Sequence, residues 1–193
     1  MGLEAFTETL LTESDEAMAA FREQFGLVVI PLINPDGLFE GHWRSNLQGL
    51  DTNRHWGDGW QATEPRVVSD YLLALPGETV FFVDFHSTQR NIIYTSPDGT
   101  ETRTQGVRAA ILAALQAQLS ELEFTVSSSN NPGKAVSRQW ALDQFHCESM
   151  TLEFADITPV EAIRNASELA ARTMAQSLGA RIAGSKQDQN PMP

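Results

Sequence analysis

Cysteine is nearly absent. Cys147 is the only one in 193 residues, so no disulfide can form within the chain. Basic residues are scarce: Lys and Arg total 13 against 25 Asp and Glu, for a formal charge of −12. That balance argues against a nucleic-acid surface, which needs clustered Lys and Arg. No apolar run reaches the roughly 18 residues that a membrane span requires. The opening residues, MGLEAFTETLLTES, lack a basic start and a signal-peptide core. Phe6 stands where a myristoylation signal needs Ser or Thr. A cytoplasmic location is the expectation. Internal repeats are missing too. What remains is 41% hydrophobic and 20% charged, as in an ordinary soluble protein, and the length suits one domain with a real core. That domain is expected over 1–183, with 184–193 as a disordered polar tail. The oligomeric state is left open.

The most apolar stretch is VFFVDFHS, Val80 to Ser87. Val80 to Val83 and Phe85 are too continuous for a strand with one wet face, so the stretch reads as a central strand covered on both sides. It delivers Asp84, His86 and Ser87 at its carboxyl end, where open α/β sheets bind ligands. A neutral imidazole there can ligate zinc, with a second group fixing its tautomer. The bland alternative is a core strand whose His caps a loop.

Around that strand the pattern alternates. Leu3 to Phe25 repeats apolar residues at helical spacing; Ser14 is positioned to cap a second segment, and Gly26 to end it. Leu27 to Ile33 reads as a buried strand, and Asn34-Pro-Asp-Gly37 as a turn. Leu38 to Ala62 is rich in Gly, Asn and aromatics without periodicity, the kind of long structured loop that is usually functional. Helices are expected at Glu64–Leu75, Gln105–Leu122, Ser137–Phe145 and from about Val160 to Ile182, the last capped by Thr158. Asn91 to Tyr94 reads as a short edge strand with a turn at Pro97 to Gly99. Phe124–Ser127 and Met150–Phe154 read as further strands. Strands alternating with helices define an α/β fold with a largely parallel sheet.

Three constellations could carry chemistry. Arg44 and the run Asp51, Asn53, Arg54 place two guanidinium forks and an amide in one loop, a set suited to a carboxylate or an oxyanion. A loop pinned by arginines to backbone carbonyls is the structural alternative. Asp84 and His86 form the second. In the third, Ser149, Thr151 and Glu153 share one face of their strand, and Met150, Leu152 and Phe154 the other. A carboxylate near the end of an apolar strand is costly unless paired or used.

In order, Asn34-Pro-Asp-Gly37, Gly41-His42-Trp43-Arg44 with Asn46 and Gly49, Asp51-x-Asn53-Arg54, Asp84-Phe-His86-Ser87 and Leu152-Glu153-Phe-Ala-Asp156 resemble the M14 family of zinc carboxypeptidases, in its bacterial branch. The likeness runs from the first helix to about Asp156. It implies a three-layer α/β/α fold around a mixed, mostly parallel sheet, and one zinc ion. It also implies roles: His86 as a zinc ligand, Arg44 holding the oxyanion, Asn53 and Arg54 binding the substrate's terminal carboxylate, and Glu153 as the general base. The partner would be a peptide or amino-acid derivative with a free carboxylate.

The family also places a His-x-x-Glu zinc pair before the NPDG strand. This chain has four histidines, His42, His55, His86 and His146, and no His-x-x-Glu. An incomplete N-terminus is the expectation; a zinc-poor, non-catalytic relative that binds carboxylates is the alternative, and an N-acyl amino acid deacylase a near neighbour. His55 and Asp58 are a substitute metal pair by spacing alone. The family's mobile-loop tyrosine is missing from SSSNNPGKAVSRQW, leaving Lys134 or Arg138 to meet substrate there, with Arg138 exposed on its helix as the alternative.

Overall fold

The first helical stretch divides in two, α1 (Gly2–Thr12) and α2 (Glu16–Gln24). The second is capped by Asp15, whose side chain accepts the Met18 N–H at 3.0 Å; Ser14 is not the cap. In this computed structural model the described residues are 1–57, 59, 61–129 and 134–188. Phe25, in extended conformation, ends α2, so Gly26 is not used as a left-handed cap.

Leu27 to Ile33, expected as a buried strand, joins no sheet among the described residues, bends at Pro31 and Ile33, and is not buried. No hydrogen bond to a described residue reaches the backbone of 26–33. Asn34 then caps a short helix, α3 (Pro35–Phe39), accepting the Gly37 N–H at 3.1 Å. Its amide donates to the Ser45 carbonyl at 3.1 Å and so holds the chain beside Arg44. Gly37 is required there, because a Cβ would lie 2.5 Å from that same carbonyl oxygen.

Among the described residues the sheet has four strands in the order β1 (Phe81–Thr88), β4 (Glu148–Ala155), β2 (Ile92–Thr95), β3 (Thr125–Ser128). β1 runs parallel to β4 and β2 parallel to β3, while β2 and β4 are antiparallel. Two expectations are corrected. Among the described strands β1 lies at the edge, half-buried along most of its length, and β4 takes an interior place. β2, expected at an edge, lies between β4 and β3.

Helices cover both faces. On one, Met150, Leu152 and Phe154 of β4 and the partly buried Val83 and Phe85 of β1 pack against α1, α2, α5 (Val107–Gln118) and α7 (Val160–Asp188). Ala166, Ala170, Ala171 and Ala175 of α7 are buried there among Phe6, Leu10, Met18 and Ile111. Each such large side chain contributes about 1.5–3 kcal/mol through burial. On the other face, Trp56, Trp140 and Ala141 gather Phe82, Val68 and Leu72 beneath α4 (Thr63–Ala74) and α6 (Ser137–Phe145). The architecture is the expected three-layer α/β/α fold.

Two polar side chains fasten the layers. Glu148, buried at the start of β4, accepts the Gly106 and Arg108 N–H groups at 2.8 Å each, capping α5 from a neighbouring strand. The Asn91 amide group donates to the Leu122 carbonyl at 2.7 Å, and its oxygen accepts from the Ala155 N–H and the Thr158 hydroxyl. Thr158 thus spends its hydroxyl proton on Asn91. α7 continues past Ile182 into the expected tail as far as Asp188; 189–193 lie outside the described residues. Among the described residues no helix is long and apolar enough to cross a membrane.

Candidate active site

The register of β1 on β4 sets His86 beside Glu153 and Asp84 beside Thr151. Paired residues of adjacent strands point to the same face. That face is the one opposite Met150, Leu152 and Phe154, at the carboxyl end of both strands. The grouping of Ser149, Thr151 and Glu153 therefore holds, and Asp84 and His86 join them.

The loop after α3 reaches this edge through local bonds that its sequence dictates. Asn46 is buried; its side-chain oxygen accepts the Gln48 and Leu50 N–H groups at 3.0 Å, and its nitrogen donates to Glu64 Oε2 at 2.9 Å. Gly49 turns the chain at φ +77°, a left-handed conformation that favours glycine. Asp51 then accepts Arg44 Nε at 2.5 Å and the Asn53 N–H at 3.0 Å, starting a short 3-10 turn, Thr52–Arg54. The spacing Arg44, Asn46, Gly49, Asp51, Asn53 is the hydrogen-bond plan of one loop.

Asn53 connects loop, strand and helix. Its side-chain nitrogen lies 3.2 Å from His86 Nε2, and its oxygen accepts the Ser137 N–H at 2.8 Å. His86 Nε2 is also 2.8 Å from Asp84 Oδ2, which accepts a short hydrogen bond from the Ser137 hydroxyl. Ser137 carries no signal in sequence beyond its place at a helix start. Arg54 is exposed and donates to the Asn53 carbonyl at 2.7 Å.

The electrostatics tie Glu153, His86, Arg44 and Arg54 together, with Asp84 among them. Burial disfavours the charged form of His86, yet the hydrogen bond and charge of Asp84, with the charge of Glu153, raise its pKa above the ordinary 6.5. Burial raises Glu153 above the usual carboxylate range; His86 pulls it down, Asp84 pushes it up, and Arg44 and Arg54 pull it down. Glu153 thus feels all four charged groups of the site, and no described residue donates a hydrogen bond to its carboxylate.

Other expectations fare differently. Arg138 is not exposed on its helix: it is 4% accessible and donates to Ser96 Oγ at 3.2 Å and the Ser129 carbonyl at 3.0 Å. Burial and neighbouring Arg108 lower its pKa. Lys134 is exposed, and His55 is half-buried. Asp58 lies outside the described residues.

The chain belongs to the zinc carboxypeptidase family, M14, whose model matches residues 2–172. It is 28% identical over 156 residues to cytosolic carboxypeptidase 6 of Caenorhabditis elegans, covering 74% of this chain and 34% of that protein. It is 32% identical over 124 residues to human cytosolic carboxypeptidase 6, covering 60% and 24%. Among solved structures, a metallo-carboxypeptidase from Burkholderia cenocepacia superposes with a TM-score of 0.68 at 20% identity, covering 94% of this chain and 53% of that one. A metallo-carboxypeptidase from Pseudomonas aeruginosa, in complex with (2-guanidinoethylmercapto)succinic acid, gives 0.62 at 21%, covering 93% and 53%. These structures share the fold. The chain spans about a third of the worm protein and about half of the two solved chains.

Membership implies zinc. The donor set tests that implication. A catalytic zinc takes three protein ligands. Among the described residues no cluster of three or more His, Cys, Asp or Glu could hold a metal. His86 offers one imidazole, with its Nε2 already engaged by Asp84 and Asn53. The described residues therefore do not by themselves fit a resident zinc.

Proposed function

We propose that this chain carries the substrate-carboxylate and proton-handling portion of a metallocarboxypeptidase-like hydrolase site. The substrate would be a peptide or N-acyl amino acid with a free carboxylate. The observation that carries the reading is the convergence of Glu153, His86 and Asp84 on two parallel strands with the loop that bears Arg44 and Arg54, which meets them through Asn53.

The chemistry follows from the side chains. Arg54 is exposed and fork-shaped, so it suits a carboxylate arriving from solvent. Asn53, between His86 and Ser137, fixes the loop that presents it. Arg44, held by Asp51, stands as the fixed cation for an oxyanion. No described residue donates a hydrogen bond to Glu153, and its pKa is raised, which suits a general base that takes a proton from water. Zinc dependence would need more donors than the described residues supply. The succinic acid derivative on the Pseudomonas relative, a dicarboxylate, supports carboxylate recognition. The names of the cytosolic carboxypeptidases support a cytoplasmic location.

The test pairs binding with turnover. The chain is titrated with hippurate and with its amide, by calorimetry, with and without added zinc. Hippurate is expected to bind and the amide to bind at least about tenfold more weakly, a 1.4 kcal/mol difference. Arg54→Ala should erase that difference. Turnover that disappears in Glu153→Gln while hippurate binding persists supports the base assignment. Equal binding of acid and amide overturns the carboxylate site.

A second reading rests on the described residues holding no group of three metal donors: a binding module for peptide or small-molecule carboxylates. Hippurate binding without turnover and without zinc uptake favours it. Hydrolysis of N-acyl amino acids but not of C-terminal peptide bonds favours the deacylase variant.

A further inference from the structure

We infer that Ser137 is the positioning residue of this site: its two donors fix Asp84 and Asn53 around His86, so that the ring holds a proton on Nε2 and keeps its lone pair on Nδ1. The use made of His86 rests on the function proposed above; the arrangement rests on geometry. Ser137 opens α6 and is 2% exposed. A first-turn N–H has no partner within its own helix. That of Ser137 goes to Asn53 Oδ1 at 2.8 Å. The bond decides which way the amide lies, with its oxygen to the helix and its nitrogen 3.2 Å from His86 Nε2. The Ser137 hydroxyl goes to Asp84 Oδ2, the same oxygen that lies 2.8 Å from Nε2.

Nε2 therefore meets two groups with opposite demands. The Asn53 nitrogen can only donate, and the Asp84 carboxylate can only accept. The carboxylate is nearer and charged, and a charge-assisted bond is about twice as strong as a neutral one. Nε2 thus carries the proton. No described residue bonds Nδ1, which is the lone pair that the neutral ring has to offer. Serine, histidine and aspartate together invite another reading, a nucleophilic serine. The geometry opposes it. A serine nucleophile gives its proton to the imidazole, and the aspartate braces the ring's other nitrogen. Here the hydroxyl and the ring share one oxygen of Asp84, and Ser137 is buried. What the hydroxyl supplies is constraint. Apart from His86 and Ser137, no described residue bonds the Asp84 carboxylate, which is 25% exposed. Without the hydroxyl it is free to turn toward water and let the ring follow.

Proton NMR of the full chain labelled with 15N-histidine reads this arrangement without turnover or ligand. A ring N–H held on a carboxylate under a buried side chain is protected from exchange with water. The parent should show a downfield proton on His86 Nε2, identified by its loss in His86→Asn. Ser137→Ala keeps the backbone bond to Asn53 and removes the hydroxyl. The Nε2 proton should then exchange at least about tenfold faster, the scale of one hydrogen bond to a charged group. Ser137→Thr and Ser137→Val have one shape and differ in the hydroxyl alone, so any disturbance of α6 by size is common to both. Thr should keep the signal and Val should lose it. Unchanged exchange in Ser137→Ala overturns the inference, and so does equal exchange in the Thr and Val chains. A parent whose protected proton sits on Nδ1 overturns it as well. Because the signal is read on the free chain, its failure is separate from a failure to bind hippurate.

Discussion

Replacing Asn53 by Ala removes one hydrogen bond and one contact that together join three elements. The Ser137 N–H, at the buried start of α6, loses its acceptor at 2.8 Å, and His86 loses its contact at 3.2 Å. An orphaned buried donor costs about 1–3 kcal/mol. The His86 contact adds little, because the Nε2 proton goes to Asp84, so the expected loss is about 1–3 kcal/mol. Urea unfolding followed by tryptophan fluorescence measures it well, because Trp140 sits in α6 against Trp56. The midpoint should fall with little change in slope. Asn53→Asp separates the bond from the contact. It keeps an acceptor for Ser137 but adds a carboxylate near Asp84 and Glu153, so it should approach the parent while His86 is charged and fall behind as the pH rises. A loss below about 0.5 kcal/mol for Asn53→Ala, the level of an ordinary surface change, would refute Asn53 as the junction of loop, strand and helix.

Further outcomes follow from single features. The pKa of His86 is raised on folding, so the stability it contributes is complete below its ordinary 6.5 and is lost as pH rises through the higher folded value; His86→Asn should flatten the unfolding-midpoint profile across that window. Burial pushes the Cys147 thiol up to about 12, so at pH 8 only about one part in ten thousand is thiolate. Iodoacetamide should label the native chain negligibly and the urea-unfolded chain readily; fast native labelling would contradict the buried thiol. Glu148→Ala strips two N–H groups of α5 of their acceptor and should cost about 2–4 kcal/mol in chemical denaturation. Leu152→Ala, fully buried in the interior strand, should cost about 2–5 kcal/mol by the same assay.

What could be read in advance was what local chemistry determines. Motif spacing carried the loop, because Asn46, Gly49 and Asp51 bond to residues a few positions away. Period-two alternation assigned the faces of β4 correctly, and helical spacing found α4, α5, α6 and α7. Strand order was not legible. A continuous apolar run in β1 signals burial on two faces but not which neighbour supplies it, and β1 sits at an edge. The same holds for 27–33, whose β-rich composition is that of a strand although no described strand pairs with it. Glu148, Asn91 and Ser137 were missed because each bonds a residue distant in sequence. The burial of Arg138 went unseen for a similar reason, since Ser96 belongs to the far side of the sheet connection.

The parallel ladder between β1 and β4 has a consequence for the order of assembly. Phe81 finds its partner only when Glu148 has been made, and α1 finds its cover only when α7 has followed. Contacts this distant along the chain close large loops before they return any stabilisation. On the ribosome, then, the helices can form early, but the site cannot. Asp84 and His86 emerge first and stay wet until the strand bearing Glu153 arrives. A nascent chain halted before β4 holds its acid and base apart, and its apolar β1 open to chaperones.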